Sequence, residues 1–537
     1  MSSLNRVVVS AVAVLSLALM VGCGSSSNGA VTNTAPPTGS FGVASLNGTY
    51  VFSISGTDSG NGPYAIAGTF TANGQGAITG GAVDVNDPDI SATPVANSAL
   101  ASSSYKVGVD GRGQVELATP ISSLGTVVLD FVLQDASHGL VTEFDQKATG
   151  SGTFDLQSSG VAPTGSYAFS LSGSDFTSGT ADMFATVGNF TIGANNAFSG
   201  LEDVNDNTIA YSNEALSGTL VLGPSSTPAT VLTIANFRQL TFDVFAIDST
   251  HLKFIEMDAT SNLVGDAFTQ TNTIPAGTFA FTLQGSYPGA TTASAAGGFI
   301  VTDGNGNVTS SSTLDTNNGG TVSPTPSPTF SGSYAAAGTG RYTLSLSPFD
   351  GTAYAAYPSS GGIFLLEIDD GGIMTGAAFQ QSATTFAAGQ GYGLNFSGAN
   401  LADSVEVDEI AEFTANSSGA TVTGAVDENF QPGNSSPIYS LALSGTYIAP
   451  TNGRGSITAT AGNSSNSTLN GGFVITFYTV DGTSFPFIET DQGGGQITAG
   501  VFVQQSPTSS AAAMRANSHL FVPAPMVHSK AALKKRG

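Results

Sequence analysis

The chain has 537 residues, 38 acidic against 13 basic, a formal net charge of −25 and one cysteine. That balance excludes the basic face a nucleic-acid partner needs, and one cysteine excludes an internal disulfide framework or a Cys-rich metal site. Charged residues are 9% of the chain and glycines number 68, so Ser, Thr, Asn and Gly must form the polar surface, a mixture favouring strands and turns over helices.

Val7 to Val21 is a mostly apolar run behind Arg6, too short for an ordinary membrane-spanning helix and the right length for a signal-peptide core. It ends in Met20-Val21-Gly22-Cys23. These residues resemble the lipobox of bacterial lipoproteins, with Met20 where Leu is usual. The resemblance implies cleavage after residue 22, lipidation of Cys23 and export to the cell envelope. Gly24, rather than an Asp, implies the outer membrane under the enteric sorting rule. Residues 24–46 are poor in large apolar side chains and read as a flexible tether.

From residue 47 the chain repeats. Glu143-Phe-Asp145 returns as Glu256-Met-Asp258, Glu367-Ile-Asp369 and Glu489-Thr-Asp491, at separations of 113, 111 and 122 residues. Such a period marks a tandem array, with units expected at 47–160, 161–273, 274–385 and 386–505. Each opens on an aromatic or apolar strand at Tyr50, Tyr167, Phe279 or Tyr392, and a second follows near Phe70, Phe190, Phe299 and Phe413. Asn73-Gly-Gln-Gly76 and Asp303-Gly-Asn-Gly306 are hairpin signals. A Gly-Arg turn recurs at Gly111-Arg112, Gly340-Arg341 and Gly453-Arg454, and the units close near Gln157, Gln270, Gln381 and Gln505.

About eight short strands per unit, joined by short connections with no long amphipathic helix between them, predict an all-β fold. The expectation is four tandem antiparallel units of up-and-down barrel type, because closing a meander removes its edges. Immunoglobulin-like sandwiches are the alternative, with Greek-key crossovers that this succession does not suggest. A recurrence of about half a unit leaves propeller blades as a third architecture.

Three sets of polar residues recur with the period. The paired carboxylates invite a glycosidase reading, but they share one strand face and occur in every unit, so no catalytic residue is assigned. Arg112, Arg238, Arg341 and Arg454 fall one per unit. They suggest internal ion pairs with Glu143, Glu256, Glu367 and Glu489, tying the Gly-Arg turn to the acidic strand. Asp-x-Asn recurs at Asp84/Asn86, Asp203/Asn205, Asp315/Asn317 and Asp427/Asn429. With Asp87 and Asp206, the first two sets are weak calcium candidates, read more simply as Asx turns. Asp203-Val-Asn-Asp-Asn207 is similar to the cadherin linker motif over five residues, too few and too far inside a unit to assign that family. His138 and His251 fall at equivalent turns, where solvation is expected. No cofactor is implied.

Beyond residue 505 every charge is basic (Arg515, Lys530, Lys534, Lys535, Arg536), and 506–537 reads as a disordered tail. The functional expectation is a non-enzymatic, lipid-anchored envelope protein. It would act as spacer, adhesin or binding scaffold, touching the membrane through its lipid and an unidentified cell-surface or extracellular partner. The alternatives are a small-ligand binder using barrel interiors and a hydrolase using the Glu-x-Asp carboxylates.

Overall fold

In the computed structural model, residues 34–507 are described apart from 224–229, 288–292, 324–326, 348–351, 370, 402–404, 432–436, 463–468, 470–471 and 493–494. Cys23, the apolar run before it and the basic tail lie outside the described residues.

The chain is all-β and forms four closed antiparallel barrels, as the meander predicts. Barrel 1 comprises β1 (Asn47–Asp58), β2 (Pro63–Asn73), β3 (Ala77–Asn86), β4 (Val95–Ala99), β5 (Ser103–Val107), β6 (Arg112–Ala118), β7 (Thr126–Leu133), β8 (His138–Phe144) and β9 (Ala148–Leu156). Neighbouring strands pair in sequence, β4 is a short side strand on β3, and β9 returns to β1 with Tyr50 opposite Leu156. Barrels 2, 3 and 4 run from Gly165–Asp175 to Val264–Thr269, from Gly277–Ser286 to Ile373–Gln380, and from Gln390–Asn400 to Gln496–Gln504.

Alternation fixes what each barrel encloses. Tyr50, Phe52 and Ile54 point inward from β1 and pack with Phe70, Phe131 and Phe154, whereas Val51 between them faces barrel 2. The interiors are filled by such rings. In barrel 4, Phe386, Tyr392, Phe413, Phe477, Phe485 and Phe502 stack or meet edge to face at 4.6–6.1 Å, geometry favoured by the ring quadrupole. The cavity inside barrel 3, lined by Phe279, Ile300, Tyr334 and Leu365, measures about 10 Å³, room for about one water.

Candidate functional site

The recurring polar residues are concentrated where barrels meet. At every joint an Asn side chain of one barrel reaches the Glu-x-Asp strand of the next. Asn86 Nδ2 donates to the carbonyls of Glu256 (2.8 Å), Asp258 (3.1 Å) and Ser261 (2.7 Å). Asn205 does so to Glu367 and Gly372, both at 2.9 Å, and Asn317 to Glu489 (3.2 Å) and Gln496 (3.0 Å). Asn429 of barrel 4 returns to barrel 1, at Glu143 (2.8 Å), Asp145 (3.3 Å) and Ala148 (2.9 Å). The four head-to-tail contacts thus close into a ring. These carbonyls end strands in sealed surroundings where an unpaired acceptor is costly. Asn429→Ala is expected to destabilise the protein by about 2–3 kcal/mol through the orphaned carbonyls, read by urea titration followed by near-ultraviolet circular dichroism.

A second clasp repeats at the opposite barrel end. Ser158, Thr271, Ser382 and Ser506 donate backbone N–H groups to Ile247, Pro358, Val480 and Gln134 of the following barrel, at 2.7–3.0 Å. The glutamines that close the units lie beside them: Gln157 Nε2 donates to Ala246 O, Gln381 to Thr479 O, and Gln505 to Asp110 O and Leu133 O. Gly340 shows why glycine recurs before the arginine. Its φ is +68°, and a Cβ there would stand 1.5 Å from Gln270 Nε2.

Between these clasps lie the arginines, and here the expected pairing is corrected. Arg341 forks onto Asp203 of barrel 2, Nε to Oδ2 and Nη2 to Oδ1 both at 2.6 Å, with Tyr357 Oη also on Oδ2 at 2.6 Å. Arg454 holds Asp315 of barrel 3 the same way, at 2.9 and 2.8 Å, helped by Tyr478. Arg112 binds Asp110 and Asp427 of barrel 4. Glu143 is the wrong partner for geometric reasons. Arg112 stands opposite Val132, and Glu143 stands opposite Leu129, three residues further along, about 10 Å at strand rise. Arg238 belongs to the other end of its barrel, where it pairs with Asp175 and lies over Phe184 and Phe237. Glu143, Glu256, Glu367 and Glu489 instead sit on the inward side of their strands, at most 1% exposed. Burial pushes the carboxyls of Glu143, Glu256 and Glu489 up, Glu256 to about 8.

The joint between barrels 1 and 2 is built differently. Its Asp84 faces Asp243 rather than an arginine, and burial, then the Asp243 charge, raises its carboxyl. The same joint holds Lys253 of barrel 2, 2.9 Å from Asp266 and 3.6 Å from Asp155 of barrel 1. His138 and His251, expected in solvent, are buried there against Asp155 (2.7 Å) and Asp266 (2.6 Å). Burial alone would raise Asp155, but His138 and Lys253 outweigh it and hold the carboxyl low.

Several of the calcium candidates have protein partners of their own. Both Asp203 oxygens accept from Arg341, Asn86 and Asn205 hold carbonyls, and Asp87 accepts the backbone N–H groups of Asp89 and Ile90 in an Asx turn. Asp206 has its carboxyl raised to about 6 by burial and then Asp175. Among the described residues no group of three or more His, Cys, Asp or Glu is placed to hold a metal ion, and no helix is long and apolar enough to cross a membrane.

No family model matches the chain, and no curated protein matches it. Among solved structures it is similar to isotype 1 transferrin binding protein B from serogroup B Neisseria meningitidis. That match has 10% identity and a TM-score of 0.19, and covers 69% of this chain and 84% of that one. It is also similar to a mutant transferrin binding protein B of Haemophilus parasuis Hp5, at 9% identity and TM-score 0.19, covering 90% and 99%. Scores of this size carry no inference about a ligand.

Proposed function

We propose that the chain is a lipid-anchored, non-enzymatic scaffold of the cell envelope that holds one loop-bearing face away from the membrane for a partner. The observation that carries this reading is the direction of the barrels. At all four joints the Asn clasp joins like ends and the backbone N–H clasp, joined at three of them by a Gln side chain, joins the opposite like ends, so the barrels point the same way and the ring has two faces. Thr38 Oγ1 donates to Gln505 O at 3.1 Å. Both ends of the described chain therefore leave from one face, the Gln-clasp face, and a tether to Cys23 starts there. The opposite face presents loops such as 59–62, 87–94, 119–125 and 176–181. Four barrels in fixed register set such loops side by side, an arrangement that gains avidity when each contact is weak.

The alternatives fare worse. Among the described residues the barrel interiors are packed with apolar side chains, which speaks against a ligand held in the lumen, and the burial of the Glu-x-Asp glutamates speaks against a substrate there. The test uses single cysteines, since Cys23 is the only native one. Ser178→Cys lies on the loop face and Asn305→Cys on the tether face, both exposed. In membrane-anchored protein an impermeant maleimide is expected to label Ser178→Cys several-fold faster, with the difference lost in detergent. Equal labelling in membranes, or membrane retention of a Cys23→Ser chain, overturns the proposal.

A further inference from the structure

We propose that the joint between barrels 4 and 1 is a releasable clasp, through which the ring opens into a string of folded barrels as pH rises. The inference depends on the ring and not on lipid anchoring.

Joints 1–2, 2–3 and 3–4 are each bridged by a chain segment, residues 157–164, 270–276 and 381–389. Joint 4–1 has none. It is held by the Asn429 and Gln505 clasps with the Ser506 N–H on Gln134 O, the Arg112–Asp427 ion pair (2.9 Å), Asn395 Nδ2 on Val141 O (3.3 Å) and Ser151 Oγ (3.2 Å), the hydroxyls on Asp408, the Thr38 contact, the Phe144–Tyr439 ring pair and a small apolar patch of Val132, Leu140, Ile410, Val501 and Val503.

This joint also carries the greatest excess of buried carboxyls. On strand Val405–Asn416, the residues alternating with the core-facing Ala411 and Phe413 are Glu406, Asp408, Ile410 and Glu412, and they pack on barrel 1. Asp408 accepts from Thr149 Oγ1 (2.9 Å) and Ser151 Oγ (2.7 Å) across the joint. Glu406 faces Thr57, with Asp408 beside it and Tyr64 and Glu143 beyond. Glu412 and Asp427 face Asp110 and Arg112, and Asp130 faces Gln114, Asp427, Arg112 and Lys106. Glu412, Asp427, Asp110 and Asp130 thus crowd one buried guanidinium, while Glu406 and Asp408 lie about 13–20 Å further along the strand, where their neighbours are hydroxyls and each other. At joints 2–3 and 3–4 a single Asp meets each Arg.

Such carboxyls are compatible with burial while they hold protons. Burial and then Asp408 raise Glu406 well above the usual range; burial, then Asp110, against Arg112, raises Glu412 to about 8; burial, offset by Ser151, Ser397 and Thr149, leaves Asp408 at about 6. Separation lets all of them ionise in water. Each proton released on opening raises the open-to-closed ratio about tenfold per pH unit.

The test places spin labels on the full chain carrying Cys23→Ser, at Ser122→Cys of barrel 1 and Thr446→Cys of barrel 4, both exposed. A second pair, Thr191→Cys and Ser345→Cys, spans joint 2–3. The 4–1 distance is expected to be narrow at pH 6. By pH 9.5 it should lengthen and broaden, with the 2–3 distance and the near-ultraviolet dichroism of the barrels unchanged. Adding Glu406→Gln and Asp408→Asn should shift opening upward by a pH unit or more. A 4–1 distance that holds until the dichroism is lost, one that changes together with the 2–3 distance, or one indifferent to the double substitution, overturns the proposal.

Discussion

Arg341→Ala is expected to lower unfolding free energy by about 3–5 kcal/mol, the cost of removing one partner from a buried pair. The guanidinium is 3% exposed and Asp203 0%. After the substitution Asp203 keeps only the Tyr357 hydroxyl and the Asn213 N–H, at 2.6 and 2.9 Å, too little to solvate a carboxylate that water does not reach. The loss should fall at joint 2–3 and leave barrel interiors intact, because Arg341 touches none of their aromatic rings. Arg341→Met combined with Asp203→Leu should recover most of the loss, since exchanging a whole buried pair for apolar groups is often near neutral. Urea titration followed by near-ultraviolet circular dichroism reads both, with tyrosines as the signal in a chain without tryptophan. A single-variant loss below 1 kcal/mol would place water at Asp203 and remove the argument.

That pair also shows what the sequence could and could not convey. The barrel was legible because alternation, Asn-Gly turns and the Glu-x-Asp period are local signals that the final fold obeys. Gly340 and Arg341 stood out for the same reason. What the arginine binds was not legible. In a periodic chain a residue is equally in register with every copy of a motif, so spacing cannot separate Glu367 of its own unit from Asp203 of the unit before. Arg112 and Asp427 are 315 residues apart, a contact that exists only because the array closes. The Asn residues illustrate a second limit. Asx turns, calcium sites and interdomain clasps all want Asp-x-Asn, and only neighbouring backbone carbonyls decide among them. The histidines illustrate a third: a turn position is solvated in an isolated barrel but buried once the next barrel covers it.

Covering so many acids gives the protein a stability optimum on the mildly acid side of neutrality, and the sign follows from which way each carboxyl is displaced. Glu202 and Glu256 lie inside barrel 2, and burial outweighs the hydrogen bonds from Thr186 and from Ser261 and Leu263 to raise both to about 8. Between an unfolded value near 4.5 and that folded value, the native chain keeps protons that the unfolded chain has released. Their contribution is complete below the unfolded value and is lost as pH rises towards 8. Across that window stability falls by about 1.4 kcal/mol per pH unit for each group. Asp155 and Asp266 work the other way. Burial opposes their ionisation, but His138 holds Asp155 low, as Lys253 and then His251 hold Asp266. Their contribution is present above the unfolded carboxylate range and disappears as pH falls through their depressed folded values. The two sets together place the maximum near pH 5. Calorimetry from pH 4 to 9 should show Tm falling by about 10 °C or more between pH 6 and 9, since two protons alone cost about 3 kcal/mol per pH unit. Glu256→Gln should flatten the alkaline limb while leaving the acid limb unchanged. If Tm instead held level or rose from pH 6 to 9, these carboxyls would have to be ionised and hydrated in the folded barrel, contrary to the burial that defines the site.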